Sequence, residues 1–286
     1  MRAFSPTGPA AEFFGMRYEE MSRQNGSLRE KLSTGTPTFG MTMYSGTGAA
    51  IEIAGNWGLD FAFIDAEHTA INLDQQMEKL IMSAIISGIA PLVRVRGTIE
   101  WDIRKSLELG AAGVIIPQVN SADQARAIVR AGRFPPEGRR GGDGSVRSAG
   151  YGGPGFTWSG YTEKSNREAL LIPMAESYEF FDNIDEILAV DGIDAINFGP
   201  ADYSLSRLIP IDYSMSNPEV TQRLDELIGK CHARGIKVMA PCIPPTAENA
   251  VKLAQKGVDM IILGNDVMFL NQGCQKASEA MKAVTG

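Results

Sequence analysis

The stretch FAFIDAEHTAINLDQQMEKLIMSAIISGIAPLVRV, residues 61–95, contains two short apolar runs on either side of an amphipathic segment. The runs FAFIDA (61–66) and APLVRV (90–95) have the length of buried strands. The segment between them carries apolar residues at helical spacing and ends in Gly88, a residue type favoured at helix C-termini. Strand, helix and strand in this order predict a βαβ unit with parallel strands.

The same alternation of apolar runs and amphipathic segments continues between residues 38 and 265. Eight such units favour a closed α/β barrel, the (β/α)8 TIM barrel. A doubly wound open sheet is the rival, but the SGTG after the first run lacks the spacing of a dinucleotide-binding turn. We predict an irregular and helical arm over residues 1–34 and a single barrel domain over 35–286. The remaining runs are TFGMTM (38–43), GVIIPQV (113–119), LLIPMAE (170–176), AINFGPAD (195–202), IKVMAPC (236–242) and MIILGN (260–265).

Composition and charge narrow the class of protein. The 286 residues are 44% hydrophobic and carry a net charge of -7, which argues against a nucleic-acid partner and against an anionic membrane surface. No apolar window is long enough for a transmembrane helix, and the first residues lack the apolar segment of a secretory signal. The three cysteines have no metal-binding spacing, so we expect reduced thiols in a cytoplasmic protein.

Polar side chains collect where the predicted strands end, which is where TIM barrels carry their active sites. The beginnings of the same runs show no comparable collection. The strand-end residues are Asp65, Glu67 and His68 after the second run, Arg94 and Arg96 in and after the third, Gln118 in the fourth, Glu176 in the fifth and Asp202 in the sixth.

Glu176 and Asp202 follow adjacent predicted strands. Two neighbouring carboxylates repel each other unless they are protonated or bridged by a cation, and a hard divalent metal ion is one solution. The alternative is structural, with Asp202 capping a helix and Glu176 in a salt bridge.

Arg94 lies in a run that should be buried on both faces, so its charge needs an anionic partner. That partner is either a structural carboxylate or an anionic substrate. The backbone N–H groups of GPAD would form a second anion site if a helix begins there.

His68 is the strand-end group that titrates near neutral pH, which makes it a candidate general base with Asp65 to orient it. A lone histidine is otherwise more often structural. His232, on a polar helix, is expected to be solvated.

The segment from about 133 to 168 is far longer than an ordinary connection between a helix and a strand. It is either a surface insertion or a functional element, a lid or an arm that reaches a neighbouring subunit. In the functional case its arginines Arg139, Arg140 and Arg147 would meet an acidic substrate tail.

Several of these motifs, in this order, resemble the HpcH/HpaI family of metal-dependent (class II) pyruvate aldolases in the phosphoenolpyruvate/pyruvate barrel superfamily. The resemblance runs from about residue 35 to residue 283. The motifs are FIDAEH, PLVRV, GAAGVIIPQVNSADQA with the following RFPPEGRRG, MAES, NFGPADYS and GVDMIILGNDVMFL. It implies a lyase that reversibly cleaves a 4-hydroxy-2-oxo acid to pyruvate and an aldehyde through a metal-stabilised pyruvate enolate.

The resemblance also implies roles for individual residues. Glu176 and Asp202 would bind the divalent ion (Mg²⁺, Mn²⁺ or Co²⁺), and Arg94 would face the keto oxygen of pyruvate. The substrate carboxylate would lie on the turn formed by Gly199, Pro200, Ala201 and Asp202, with Gln118 also at the substrate.

His68 would be the base, through a water on the metal, and Asp65 would support it. Glu108 would contact the site of a neighbouring subunit. The family is typically hexameric, so we expect a homo-oligomer (hexamer or trimer) with an exchanged C-terminal helix.

One position departs from the family pattern. Relatives often have a glutamine where this chain has Met174, and methionine cannot donate the hydrogen bond that the glutamine gives to pyruvate in some members. Alternatives on the same site are therefore an oxaloacetate decarboxylase or an enzyme that condenses the enolate with another electrophile. A non-catalytic metal-binding barrel is a further alternative.

Overall fold

The computed structural model describes residues 27–285 and contains a closed barrel of eight parallel strands. Each strand pairs with the next along the chain, and the last strand pairs with the first to close the ring. The predicted (β/α)8 TIM barrel is confirmed. The strands are β1 (Thr38–Met43), β2 (Phe61–Asp65), β3 (Ala90–Arg94), β4 (Gly113–Ile116), β5 (Leu170–Ala175), β6 (Ala195–Phe198), β7 (Lys237–Pro241) and β8 (Met260–Asn265).

The strands are apolar along their length because both of their faces are buried. In β2, Phe61 and Phe63 belong to the cluster inside the barrel, whereas Ala62 and Ile64 pack in the layer between the barrel and its helices. Successive side chains of a strand point to opposite faces, so Asp65 follows Phe63 on the inner face. This alternation delivers a carboxylate to the interior at the end of β2.

Helices occupy the connections between the strands. Side chains cap two of these helices: Ser121 Oγ accepts a hydrogen bond from the Gln124 N–H, and Thr246 Oγ1 accepts one from the Asn249 N–H. Across residues 27–285, no helix combines the length and the apolar character needed to cross a bilayer. The α-helices are α1 (Leu28–Ser33), α2 (Gly48–Asn56), α3 (Gln75–Ile86), α4 (Glu100–Glu108), α5 (Ala122–Gly132), α6 (Trp158–Glu168), α7 (Tyr178–Asp182), α8 (Ile184–Leu188), α9 (Pro200–Ser206), α10 (Pro218–His232), α11 (Ala247–Lys256) and α12 (Asp266–Thr285).

Helix α1 covers the N-terminal end of the barrel. Leu28 and Leu32 are buried against the inner cluster, and Lys31 Nζ lies 2.7 Å from Asp60 Oδ1. The helix therefore covers the inner cluster at the end of the barrel where the strands begin. Residues 1–26 of the predicted N-terminal arm lie outside the described residues, so the arm and the boundary at residue 35 stay predictions.

The long connection between α5 and β5 contains a 3-10 helix, Arg147–Gly152, and then α6. The 3-10 helix packs on α4, and the Tyr151 hydroxyl donates a hydrogen bond to Glu78 of α3 over 3.3 Å. These contacts place the loop against the outer ring of helices.

Arg140, one of the arginines expected at an acidic substrate tail, is enclosed by its own loop. Its guanidinium lies 4.5 Å from the centre of the Phe134 ring, and its Nη1 donates to Ser165 Oγ over 2.8 Å. The contacts described for the loop therefore do not form a lid over the mouth of its own barrel. An arm that reaches a neighbouring subunit stays a prediction.

Gly40, in β1, provides a test of the packing inside the barrel. A Cβ atom at this position would lie 2.2 Å from the Phe61 ring and 2.5 Å from the Phe61 backbone oxygen. We expect Gly40→Ala to lower the free energy of unfolding by about 1–3 kcal/mol, measured by urea denaturation, because the strand has to shift.

Gly229→Ala is the matched control, since Gly229 lies in α10 with no atom within 4 Å of its would-be Cβ. In an exposed helix this change should raise the free energy of unfolding by about 0.5–1 kcal/mol. A loss of stability in the control as large as that of Gly40→Ala would contradict the packing argument.

Candidate active site

A buried ion pair lies at the mouth of the barrel. Asp65 and Arg94 are register partners on β2 and β3, and Arg94 Nε donates to Asp65 Oδ1 over 2.7 Å. Asp65 is fully buried and Arg94 is almost so. The sequence left two possible partners for Arg94, a structural carboxylate or an anionic substrate. The structure contains the structural carboxylate.

Arg94 nevertheless keeps a free donor. Its Nη1 lies 3.3 Å from Glu67 Oε2, and its Nη2 is buried without a hydrogen-bond acceptor among the described residues. Burial lowers the pKa of Arg94, but the hydrogen bond to Asp65 and the charges of Asp65 and Glu67 outweigh it and raise the pKa above its ordinary value. The guanidinium is thus a fixed cation whose Nη2 amino group can donate to a ligand.

Asp65 contacts His68 through the backbone, and its role toward the imidazole stays a prediction. Asp65 accepts the backbone N–H groups of Glu67 (3.0 Å) and His68 (3.1 Å), not the imidazole. The imidazole Nε2 lies 3.6 Å from Glu67 Oε2, and the His68 side chain is 59% exposed. Asp65 therefore fixes the turn that carries the histidine, and Glu67 is the carboxylate beside its ring.

Charges of both signs at the barrel mouth act on the pKa of Glu67. Burial raises the pKa of its carboxyl, and the negative charges of Asp65 and Asp202 raise it as well, although Arg94 and His68 lower it. Its Oε2 lies at ion-pair distance from Arg94 but forms no hydrogen bond among the described residues. A buried carboxylate oxygen in this state has room for a donor or a cation.

Glu176 follows β5 and is buried. Its Oε1 accepts the backbone N–H of Gln118 over 2.6 Å, and Gln118 adopts a left-handed backbone conformation (φ 55°) that few non-glycine residues occupy. The pKa of the Glu176 carboxyl is raised to about 7, mainly by burial and also by the charges of Asp202 and Glu67, against the hydrogen bond from Gln118.

Asp202 lies in the first turn of α9, which begins at Pro200 without a side-chain cap. The first backbone hydrogen bond of this turn is from Tyr203 N–H to the Gly199 carbonyl over 3.0 Å. The amides of Ala201 and Asp202 precede it, at the end of the helix that attracts negative charge. A Cβ at Gly199 would lie 2.8 Å from the Glu176 Cβ, so only glycine allows this approach.

The carboxylates of Glu67, Glu176 and Asp202 repel one another, and a hard divalent cation would relieve this repulsion. Asp202 raises the pKa of both Glu67 and Glu176, which shows that the groups share one electrostatic environment. Within residues 27–285, no three His, Cys, Asp or Glu side chains form a ready-made metal cluster. An ion here would take two carboxylates and complete its shell with water or substrate oxygens, as Mg²⁺ commonly does.

Some predicted residues lie elsewhere or act differently. Gln118 contributes its backbone N–H, while its side chain is exposed. Arg96 pairs with the buried Asp102 through hydrogen bonds of 2.9 Å. Glu108 is the last residue of α4, at the opposite end of the barrel, with its Oε1 3.7 Å from Arg104 Nε.

The expectation that His232 is merely solvated is wrong. Its Nε2 lies 2.9 Å from Asp259 Oδ2, which also accepts the Val238 N–H. The contact is made at the N-terminal end of β7 and β8, so it has a structural role.

The sequence model of the HpcH/HpaI aldolase/citrate lyase family matches residues 39–272. The chain belongs to this family. The predicted resemblance is thereby confirmed, and the strand-end residues described above lie within the matched range.

Named relatives in the HpcH/HpaI family support the same conclusion. The chain is 36% identical to the hydroxypyruvate/pyruvate aldolase of Roseobacter denitrificans over 63% of this chain and 69% of that protein. It is 31% identical to the 2-keto-3-deoxy-L-rhamnonate aldolase of Escherichia coli O17:K52:H18 over 90% and 93%. The crystal structure of citrate synthase SbnG superposes with a TM-score of 0.80 at 30% identity, over 91% of this chain and 98% of that one.

Tyr44 is a residue of this HpcH/HpaI site that the sequence analysis missed. It follows β1, and the pKa of its hydroxyl is raised mainly by burial, while Arg94 lowers it and Asp65 raises it. The phenol therefore lies within the electrostatic reach of the Asp65–Arg94 pair. The strand-end rule that selected the other residues would have selected it too, had aromatic hydroxyls been included.

We expect Asp65→Ala to lower the free energy of unfolding by about 3–5 kcal/mol in urea denaturation, because Arg94 would lose its hydrogen-bonded partner inside the protein. The control is Asp123→Ala, which removes one partner of an exposed pair whose atoms lie 2.6 Å apart. Exposed pairs contribute little, so the control should stay near the parent stability. Similar small losses in both variants would contradict the role of Asp65.

Proposed function

We propose that this chain catalyses the reversible aldol cleavage of a 4-hydroxy-2-oxo acid to pyruvate and an aldehyde. The observation that carries the proposal is the buried Nη2 of Arg94, which has no hydrogen-bond acceptor among residues 27–285 and lies beside a group of carboxylates that favours binding of a cation. Membership of the HpcH/HpaI aldolase/citrate lyase family and identity to named aldolases support it.

The binding step uses fixed groups of the barrel mouth. Arg94 Nη2 donates to the C2 keto oxygen of the substrate, and the Ala201 and Asp202 amides receive its carboxylate. Glu176 and Asp202 are proposed to hold a divalent ion (Mg²⁺, Mn²⁺ or Co²⁺), which supplies positive charge where the keto oxygen becomes negative. Gly199 and Pro200 shape this turn, and Met174 gives the neighbouring wall an apolar character.

The proton transfers are assigned to His68. In the direction of cleavage it removes the C4 hydroxyl proton, the C3–C4 bond breaks, and the bonding electrons move onto the C2 oxygen to form the pyruvate enolate. The protonated histidine then gives this proton to C3 of the enolate while the C2 carbonyl re-forms, which completes pyruvate. Glu67, whose Oε2 lies 3.6 Å from the imidazole Nε2, stabilises the histidine while it carries the positive charge.

An alternative on the same enolate chemistry is decarboxylation of oxaloacetate or condensation of an enolate with another electrophile. Two observations support this alternative: the 30% identity to a citrate synthase, and the buried Met174 in place of a polar side chain. Turnover of oxaloacetate without turnover of any 4-hydroxy-2-oxo acid would establish the alternative and overturn the aldolase proposal.

We further propose a homo-oligomer (hexamer or trimer) that exchanges helix α12. In it Glu108 would contact the site of a neighbouring subunit, and the loop of residues 133–168 would be an arm that reaches a neighbouring subunit. Apolar side chains exposed on α12 support the exchange: Val267, Phe269, Leu270, Met281 and Val284. The three unpaired cysteines support a cytoplasmic location.

The first test is exchange of the pyruvate methyl protons for deuterium, followed by NMR. We expect exchange with Mn²⁺ and none with EDTA, because enolate formation needs the positive charge at the keto oxygen. Glu176→Gln and Asp202→Asn should abolish both this exchange and binding of Mn²⁺ measured by EPR. Asp123→Asn is the control and should retain both; exchange in EDTA-treated protein would refute the metal requirement.

The second test is His68→Ala, which we expect to reduce aldol turnover by roughly 10²–10⁴-fold if the imidazole is the base. His232→Ala is the matched control, because His232 pairs with Asp259 far from the mouth. Steady-state assays of both variants decide the role. An unchanged rate in His68→Ala, or an equal fall in His232→Ala, would exclude it.

A further inference from the structure

A cavity of about 510 Å³ lies on the outside of the barrel, between α5, α8 and the start of the long loop. Its volume falls in the range of small-molecule sites, which is roughly 300–1,000 Å³. Val129, Pro136 and Val190 contribute apolar surface to its lining. None of the residues discussed at the barrel mouth lines it, so it is a separate cavity.

The walls of this cavity are held together by buried contacts. Arg133, the residue after α5, is only 3% exposed. Its Nη2 donates to the Gly192 carbonyl over 3.2 Å and to Asp194 Oδ2 over 2.6 Å, which joins the end of α5 to the turn after α8. The Arg139 N–H donates to the Arg130 carbonyl over 2.8 Å and fixes the loop on α5. The cavity is therefore preformed.

Charged side chains of opposite sign line the cavity on different walls. Arg126 and Arg130, one turn apart on α5, form a basic wall. Glu186 of α8 and Asp191 in the turn that follows form an acidic wall. All four side chains are exposed, so a molecule that enters from solvent can reach them.

The two walls do not neutralise each other by contact. Among residues 27–285, the side chains of Arg130, Glu186 and Asp191 form no ion pair or hydrogen bond. Arg126 pairs with Asp123 over 2.6 Å, and Asp123 does not line the cavity. The space between the walls thus separates charges that attract one another, and a molecule placed there can meet both.

The charges of the walls limit the kind of ligand. An ion of one sign would be attracted by one wall and repelled by the other. A zwitterion satisfies both walls, and the planar guanidinium groups of the basic wall match the geometry of a carboxylate. The apolar surface from Val129, Pro136 and Val190 favours an apolar body between the two charged ends. This is the chemistry of an α-amino acid with an apolar side chain.

We propose that this cavity binds a zwitterion of the α-amino acid class, with its carboxylate on Arg126 and Arg130 and its ammonium group on Glu186 and Asp191. The proposal is independent of the aldol reaction, because it uses none of the groups at the barrel mouth. Arg139, which the sequence suggested for an acidic substrate tail, lies in the loop wall of this cavity.

The experiment titrates three matched probes by saturation-transfer-difference NMR, in EDTA so that no metal ion occupies the barrel mouth. Phenylalanine carries both charges, 3-phenylpropanoate lacks the ammonium group and 2-phenylethylamine lacks the carboxylate. We expect saturable binding of phenylalanine. Each singly charged probe should bind about fivefold more weakly, which is the upper range for the loss of one exposed ion pair.

A change of charge on one wall tests where the probes bind. Glu186→Lys should weaken binding of phenylalanine and strengthen binding of 3-phenylpropanoate, whose carboxylate then meets cations on both walls. Glu52→Lys is the matched control, because Glu52 is exposed on α2, between β1 and β2 and away from the cavity. It makes the same change in net charge and should leave all three affinities at their parent values.

A second variant keeps the test decisive if Glu186→Lys does not fold. Arg130→Gln should weaken binding of phenylalanine and of 3-phenylpropanoate without weakening that of 2-phenylethylamine. Absence of saturable phenylalanine binding, or equal affinity for all three probes, overturns the proposal. Parent affinities in the cavity variants also overturn it, because the probes would then bind elsewhere. The deuterium-exchange test of the proposed function is unaffected by any of these results.

Discussion

The hydrogen bond from Arg94 to Asp65 is the constraint on which the mouth of the barrel depends. An arginine in a strand whose two faces are both buried cannot lose its proton, so a carboxylate has to balance its charge. Asp65 fills this role from the neighbouring strand and also accepts the backbone N–H groups of Glu67 and His68. One buried side chain therefore orients the arginine and fixes the turn that carries the histidine.

The balance of charge at the mouth follows from this constraint. Asp65 neutralises Arg94. Burial, together with the charges of neighbouring carboxylates, Asp202 among them, raises the pKa of Glu67 and that of Glu176, the latter to about 7. A 2-oxo acid anion would be repelled by three such groups. The divalent cation proposed above would offset this repulsion. The proposal therefore assigns the amides at the start of α9 and the carboxylates to one site.

Much of this arrangement could be predicted from the sequence. The runs TFGMTM and MIILGN coincide with β1 and β8, because strands buried on both faces are continuous apolar runs. The strand-end rule located Arg94 and Glu176, since parallel strands of a barrel all finish at one end. The directions of the side chains were harder to predict from the sequence. Asp65 accepts hydrogen bonds from backbone amides and not from the imidazole. Gln118 donates its backbone N–H from a left-handed conformation, which the periodicity of the sequence does not reveal.

The pair formed by Met174 and Asn197 shows why specificity is the least predictable property of such a barrel. Neighbouring strands lie about 4.8 Å apart, so a polar group can move from one strand to the next and still face the same ligand. Met174 has no amide, and its register partner Asn197 provides one whose Oδ1 has no hydrogen bond among residues 27–285. A single position judged alone would suggest a lost hydrogen bond. The two strands together place an apolar and a polar side chain next to each other inside the barrel, a difference that the sequence of either strand alone does not reveal.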